Sequence, residues 1–188
     1  MKKYINSNAF SNYTEEACYW AGLLSADGCI DATNTIRLEL KAEDSYQIEK
    51  FKKFVSAEHV ISYRESTNAY SIRFKDDTIL EDLVYNFSVT NDKTYNLQLP
   101  ILPSIEAYRA YFLGSFDGDG CVTEFFNNRP MASFRVFLTS ASYTFLTDSL
   151  IFFKDNGITV GGSIQKKAAN CWHIQLGIKD STSFLNWV

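Results

Sequence analysis

Short runs of alternating hydrophobic and polar residues recur along this chain, and they come in the same order twice. In the first half Ile36, Leu38 and Leu40 alternate with Arg37, Glu39 and Lys41, the period-two signature of a strand with one buried face. Tyr70, Ile72 and Phe74 alternate in the same way with Ser71, Arg73 and Lys75. The pattern predicts strands over 29–33, 36–41, 59–65 and 69–75, with a turn at Thr67-Asn68. Helical spacing takes over at Ile48, Phe51, Phe54 and Val55, after a start signal at Asp44-Ser45, and again from about Thr78 to Phe87. The second half predicts strands near 121–126 and 132–139 around the turn Asn127-Asn128-Arg129-Pro130, then a helix from Ser142 to Asp155 closed by Asn156-Gly157. Strands near 159–166 and 171–178 follow, in which Trp172, Ile174, Leu176 and Ile178 face one way and His173, Gln175 and Gly177 the other.

Each series is opened by a copy of one motif. The first reads Tyr19-Trp20-Ala21-Gly22-Leu23-Leu24-Ser25-Ala26-Asp27-Gly28-Cys29-Ile30, the second Tyr111-Phe112-Leu113-Gly114-Ser115-Phe116-Asp117-Gly118-Asp119-Gly120-Cys121-Val122. They align without gaps at an offset of 92 residues, from Asp27 to Asp119. Thr14-Glu15-Glu16 and Ser104-Ile105-Glu106 are helix starts, with Glu favourably placed against the N-terminal dipole. The expected fold class is α+β: two pseudo-symmetric α-β-β-α-β-β-α units, 1–98 and 99–188, joined where Pro100 and Pro103 interrupt secondary structure. Aligning Phe74-Lys75-Asp76 with Ile178-Lys179-Asp180 gives an offset of 104 at this end, by which Val188 corresponds to Val84 and the last helix of the second unit reads as truncated.

Small residues four apart, Gly22 and Ala26 in one motif and Gly114 and Gly118 in the other, suit close packing of the two motif helices. That packing brings Asp27 and Asp119 together at two helix C-termini, where carboxylates oppose the dipole and repel each other unless a cation lies between them. Mg²⁺ takes one or two carboxylates and completes its shell with water and phosphate oxygens, so the pair suits metal-assisted phosphoryl chemistry. A calcium loop starting at Asp117 fails, because Cys121 and Asn128 stand where further ligands belong.

Composition narrows the classes. A hydrophobic fraction of 46% excludes a disordered chain, and the longest apolar runs are too short for a membrane helix. Cys18, Cys29, Cys121 and Cys171 contain no C-x-x-C pair, which argues against structural zinc and for reduced thiols. The N-terminus has no apolar signal segment. Net charge is −4, distributed as −4 over 1–100 and zero over 101–188, so any polyanion binding depends on local charge. The polar sides of the strands supply it. In the first half they carry Asp31, Thr33, Arg37, Glu39, Lys41, Ser71, Arg73 and Lys75; in the second, Thr123, Arg135, Thr139, His173 and Gln175, with Lys166 as a further candidate.

The two motifs and the repeat around them resemble the LAGLIDADG homing endonucleases in their single-chain, two-motif form. The resemblance covers nearly the whole chain and implies a saddle of two antiparallel sheets with the motif helices packed at its centre. It also implies site-specific hydrolysis of double-stranded DNA with Mg²⁺, for which Mn²⁺ substitutes and which Ca²⁺ replaces without supporting cleavage. Asp27 and Asp119 match the metal-ligand positions. Lys93, in Asn91-Asp92-Lys93-Thr94, matches a basic residue near the active centre. The open sheet faces imply DNA contacts from Arg37, Lys41, Arg73, Lys75, Arg135, His173 and Gln175. Ser25 replaces the Asp found at position 117, a place that varies in the family. The implied protein is monomeric and cytoplasmic (bacterial, phage or organellar interior). The alternative on the same scaffold is a nucleic-acid binder without cleavage, an RNA maturase or regulator; a folded interaction module with a decayed site is a third reading.

Overall fold

The computed structural model describes residues 3–125 and 133–188. In each half a long helix leads into a four-stranded sheet. The first half runs α1 (Glu15–Asp27), β1 (Gly28–Ile30), β2 (Ile36–Lys41), α2 (Ser45–Phe54), β3 (Ser62–Arg64), β4 (Ala69–Phe74) and α3 (Asp77–Phe87). A short helix, α4 (Lys93–Asn96), lies in the connection. The second half runs α5 (Ile105–Asp119), β5 (Gly120–Phe125), β6 (Ser133–Ser140), α6 (Tyr143–Asp155), β7 (Ser163–Ala168), β8 (Cys171–Gln175) and α7 (Ile178–Trp187). The sheets have equivalent strand orders, β1-β2-β4-β3 and β5-β6-β8-β7, with every pairing antiparallel. The fold is therefore the α+β, two-unit architecture that the repeat predicts.

The helix starts follow from their caps. Thr14 Oγ1 accepts from the Ala17 amide at 3.1 Å and Ser104 Oγ from the Ala107 amide at 3.2 Å, each satisfying a donor that the first turn leaves unpaired. Ser142 caps α6 in the same way and also donates to the Leu97 carbonyl at 2.7 Å, tying the connection to the second half.

One face of each sheet is covered by helices. Ile36, Leu38 and Leu40 are buried there with Ile48 and Phe51 of α2, and Val136, Leu138 and Ile174 with Phe145 and Phe153 of α6. The aromatic residues that open the motifs anchor the two cores. Trp20 lies 5.3 Å from Phe51, and at the equivalent place Phe112 lies 4.6 Å from Phe153. α1 is buried nearly all round, from Ala17 to Ser25, because it sits between its own sheet and α5.

Several expectations need correction. β1 ends at Ile30, and Asp31 and Thr33 lie in a turn rather than on a strand. Asp31 Oδ1 accepts from the amides of Thr33 and Thr35 at 2.8 and 3.1 Å, so its carboxylate builds the turn and is held at a pKa of about 2. Ser71 does face the polar side, opposite Glu39, but is buried at 4% exposure between neighbouring strands. Lys166 pairs with Trp172 and lies over its ring at 5.5 Å, on the side away from His173. β8 stops at Gln175, and Ile178 begins α7. The turn Asn127-Asn128-Arg129-Pro130 lies outside the described residues.

Candidate metal centre and polar sheet faces

α1 and α5 touch backbone to backbone. A Cβ placed on Gly22 would lie 2.0 Å from the Tyr111 carbonyl oxygen, and one on Gly114 would lie 2.0 Å from that of Tyr19. The contact is symmetric because 19 and 111 are equivalent positions in the repeat. One turn further on, a Cβ on Gly118 would meet Ala26 Cβ at 2.5 Å and Asp27 Oδ2 at 3.1 Å. All four predicted packing residues therefore lie at this interface. The last of them leaves a cradle over which the Asp27 carboxylate stands.

Asp27 ends α1 and Asp119 ends α5, and the last turn of neither helix carries a basic residue. The compensating charge comes from the connection. Lys93 is 9% exposed, and its Nζ donates to the carbonyl oxygens of Ser25 at 2.7 Å and Ala26 at 3.1 Å, capping the negative end of α1. Burial lowers its pKa, and the charges of Asp119 and Asp27 act in the opposite direction. Both aspartates keep one side open to solvent, while protein crowds the others and pushes their pKa values up. Asp119 is raised to about 6, first by burial, then by the charge of Asp27, with Lys93 and Lys167 opposing. For Asp27 burial again dominates, Lys93 opposes it and Asp44 adds to it.

Asp117 has a separate role. Its Oδ2 accepts from the Tyr19 hydroxyl at 2.8 Å, and that hydroxyl accepts in turn from Gln47 Nε2 at 3.1 Å. At the equivalent place in the other half, the hydroxyl of fully buried Tyr111 faces Ser25 and Ser115. Position 117 thus bonds the tyrosine of the opposite motif, whereas position 25 donates its hydroxyl to the Gly22 carbonyl at 2.6 Å. This accounts for the Ser25 departure: the buried site takes a neutral hydroxyl, and the open one takes a carboxylate. Asp117→Asn and Tyr19→Phe are each expected to cost about 1 kcal/mol in urea unfolding, and together no more than either alone. Fully additive losses would show that the two side chains do not interact.

The uncovered sheet faces are set by strand register. In the first sheet Arg37 lies opposite Arg73, Glu39 opposite Ser71 and Lys41 opposite Ala69. Arg64 joins this face through Ala69. Glu39 lies 3.7 Å from Arg37 and 3.6 Å from Arg64. Lys75 lies just beyond β4 and is exposed. In the second sheet Thr123 pairs with Arg135, Phe137 with Gln175, and Thr139 with His173. Across β8, Ser163 and Gln165 complete the face. The Phe137 and His173 rings are 5.1 Å apart and edge-on. The acidic residues Glu15, Glu16, Glu49, Asp77, Glu81, Asp82 and Glu106 sit on helices instead. A negative total charge thereby coexists with a cationic face on the first sheet.

Three of these residues escape a sequence reading. Phe137 lies in the apolar run Val136-Phe137-Leu138, where hydrophobicity alone does not assign a face. Arg64 sits on a three-residue strand too short to show a period. Lys167 lies beyond the strand predicted to end at 166, at a register shift between Lys166 and Ala168, and its charge acts on both Asp119 and His173.

No family model and no curated protein matches the chain in sequence. Solved structures do match. The LAGLIDADG homing endonuclease I-LtrWI bound to target DNA aligns with TM-score 0.61 and 12% identity over 93% of this chain and 84% of that one. The N-terminal LAGLIDADG domain of DUF199/WhiA aligns with TM-score 0.61 and 16% identity over 96% and 88%. Mesophilic variants of the homing endonuclease I-DmoI align with TM-score 0.60 and 11% identity over 97% and 96%. Two sheets flanking a pair of glycine-packed helices, each ending in an aspartate, define a LAGLIDADG-type architecture. This chain has that fold in its single-chain, two-motif form.

Proposed function

We propose that the protein is a site-specific, divalent-metal-dependent endonuclease of double-stranded DNA. The observation that carries this reading is the pairing of Asp27 and Asp119 at the touching ends of α1 and α5, with the buried Lys93 ammonium held beside them. The similar structures of I-LtrWI and I-AabMI were solved bound to DNA, which supports duplex DNA as the partner.

The acidic pair fits Mg²⁺ or Mn²⁺. Among the described residues no cluster of three or more His, Cys, Asp or Glu side chains competes with it, and hard divalent ions that retain water need few carboxylates. The raised pKa values of both carboxylates are what a site for a neutralising cation shows. Asp27 and Asp119 would hold the ion, which when bound lowers the pKa of its water and stabilises charge on the departing oxygen. Ca²⁺ fits the same carboxylates and is proposed to bind without supporting cleavage. The protein's own groups do the rest. Lys93 is fixed by two backbone carbonyls, so its positive charge is already in place beside the reacting phosphate. The lysines of the first sheet face neutralise backbone phosphates and set register, while arginine and uncharged polar groups on the two faces read base edges.

The test uses the full chain, a duplex covering its own genetic locus, and Mg²⁺. Both strands are expected to be cut within one short interval. Lys93→Met, which keeps the apolar stem and removes the ammonium, is expected to lower the rate by roughly a hundredfold or more while leaving DNA affinity unchanged. An unchanged rate would remove Lys93 from the mechanism. The second reading, a nucleic-acid binder without cleavage such as an RNA maturase or regulator, is favoured by the net charge of −4. Retention of RNA or duplex DNA with intact strands under the same conditions would establish that reading and overturn the first.

A further inference from the structure

The two sheet faces differ in chemistry, and that difference bears on what each half of a bound duplex looks like. On the first face Arg37, Lys41, Arg64 and Arg73 outnumber the acids, Glu39 among them and Asp31 at the turn beside Arg37 and Arg73. Arg37 and Arg73 stand directly opposite each other on neighbouring strands. Like charges in that relation are destabilising unless an acceptor lies between or above them. They line a cleft of about 120 Å³ with Cys29, Asp31 and Thr35. Glu39 answers Arg37 and Arg64, whereas Arg73 is exposed and makes no ion pair with the described residues. Forked guanidinium donors held this way match the paired acceptors O6 and N7 of guanine in a major groove.

The second face presents Phe137, Thr139, Gln165, His173 and Gln175 at matching registers. A glutamine amide matches adenine N6 and N7, and apolar groups such as the Phe137 ring and the Thr139 methyl match the thymine C5-methyl. His173 packs edge-on against Phe137 at 5.1 Å; its pKa is lowered by burial and by the Lys167 charge, so it adds no cation at neutral pH. Arg135, opposite Thr123, is the cation of this face and lies two residues along β6 from Phe137.

Resting on the reading of the protein as a DNA-binding enzyme, we infer that its two half-sites differ in composition. The half under β1–β4 is guanine-rich along one strand, and the half under β5–β8 is rich in A·T pairs.

The test is selection by the full chain, with EDTA present so that nothing is cut, from duplexes carrying a randomised core of about two helical turns. The recovered sequences are expected to share one asymmetric pattern, guanine-rich on one side and A·T-rich on the other. Arg73→Ala is expected to reduce guanine preference about tenfold or more at one or two adjacent positions, with the other half unchanged. Gln175→Ala is expected to relax an adenine in the A·T-rich half alone. Thermal unfolding matching the parent protein shows that both variants are folded. Half-sites of equal composition, or variants that act on the wrong half, overturn the inference while leaving DNA binding standing. Recovery of no sequence above the input pool overturns the DNA-binding reading itself, and the inference with it.

Discussion

Gly22→Ala is expected to destabilise the protein by about 3 kcal/mol or more, although alanine in an ordinary helix interior gains about 1 kcal/mol over glycine. The reversal comes from what the new methyl meets. It would lie 2.0 Å from the Tyr111 carbonyl oxygen, 2.9 Å from its carbon and 3.0 Å from the Ser115 amide nitrogen. All are backbone atoms of α5, so no rotamer change relieves the clash and the helices must separate. Gly114→Ala meets the Tyr19 carbonyl at the same 2.0 Å and should behave alike. Separation also pulls Asp27 away from α5, so activity is lost with stability. Urea unfolding of both variants is the measurement. A midpoint equal to or above that of the parent would show that the helices do not approach this closely.

Asp27→Asn and Asp119→Asn are expected to act in opposite directions on activity and stability. Each should lower cleavage by at least about a hundredfold to a thousandfold, the loss seen when one preorganised charge-stabilising group is removed from an active site. Without divalent metal, each should raise the melting temperature near neutral pH. The folded-state pKa of Asp119 lies at about 6, against an ordinary value of 3.8. The folded protein therefore binds this proton more tightly than the unfolded chain does. The associated stability is complete below 3.8 and is lost as pH rises to about 6, leaving the ionised carboxylate as a net cost above that range. Asparagine has no such cost. The advantage of Asp119→Asn should accordingly grow between about pH 4 and 6, and added Mg²⁺ should shrink it by stabilising only the parent. A variant less stable than its parent at pH 7 without metal would contradict the assignment of the pair as a strained cation site.

The paired motif was legible in the sequence because duplication supplies its own control: an Asp-Gly exit seen twice, after an aromatic and an embedded glycine, is hard to explain as two helix ends. The strands were legible wherever alternation ran for about six residues, as in β2. Tertiary context decided the rest. Ser71 is polar and on the polar face yet buried, because neighbouring strands cover so short a side chain. Asp31 continues the alternation on paper, but its carboxylate accepts from the backbone amides of a turn. Phe137 has the composition of a core residue, and its face is fixed by pairing with Gln175. Lys93 could be placed by resemblance, whereas its burial against the α1 carbonyls follows from the packing of the connection. Lys167 shows the limit most clearly: it lies past the predicted end of its strand, and only the fold brings its charge to act on Asp119, 48 residues away in the chain.

The central claim is that Asp27 and Asp119 jointly hold the metal that hydrolyses DNA. Its most direct test is strand breakage in a circular duplex library, with and without Mg²⁺, by the parent protein and by the Asp27→Asn and Asp119→Asn variants. Linear products with recurrent ends, formed by the parent in Mg²⁺ and by neither variant, are the expected result. Cleavage that persists in both variants, or that proceeds equally well in EDTA, would contradict it.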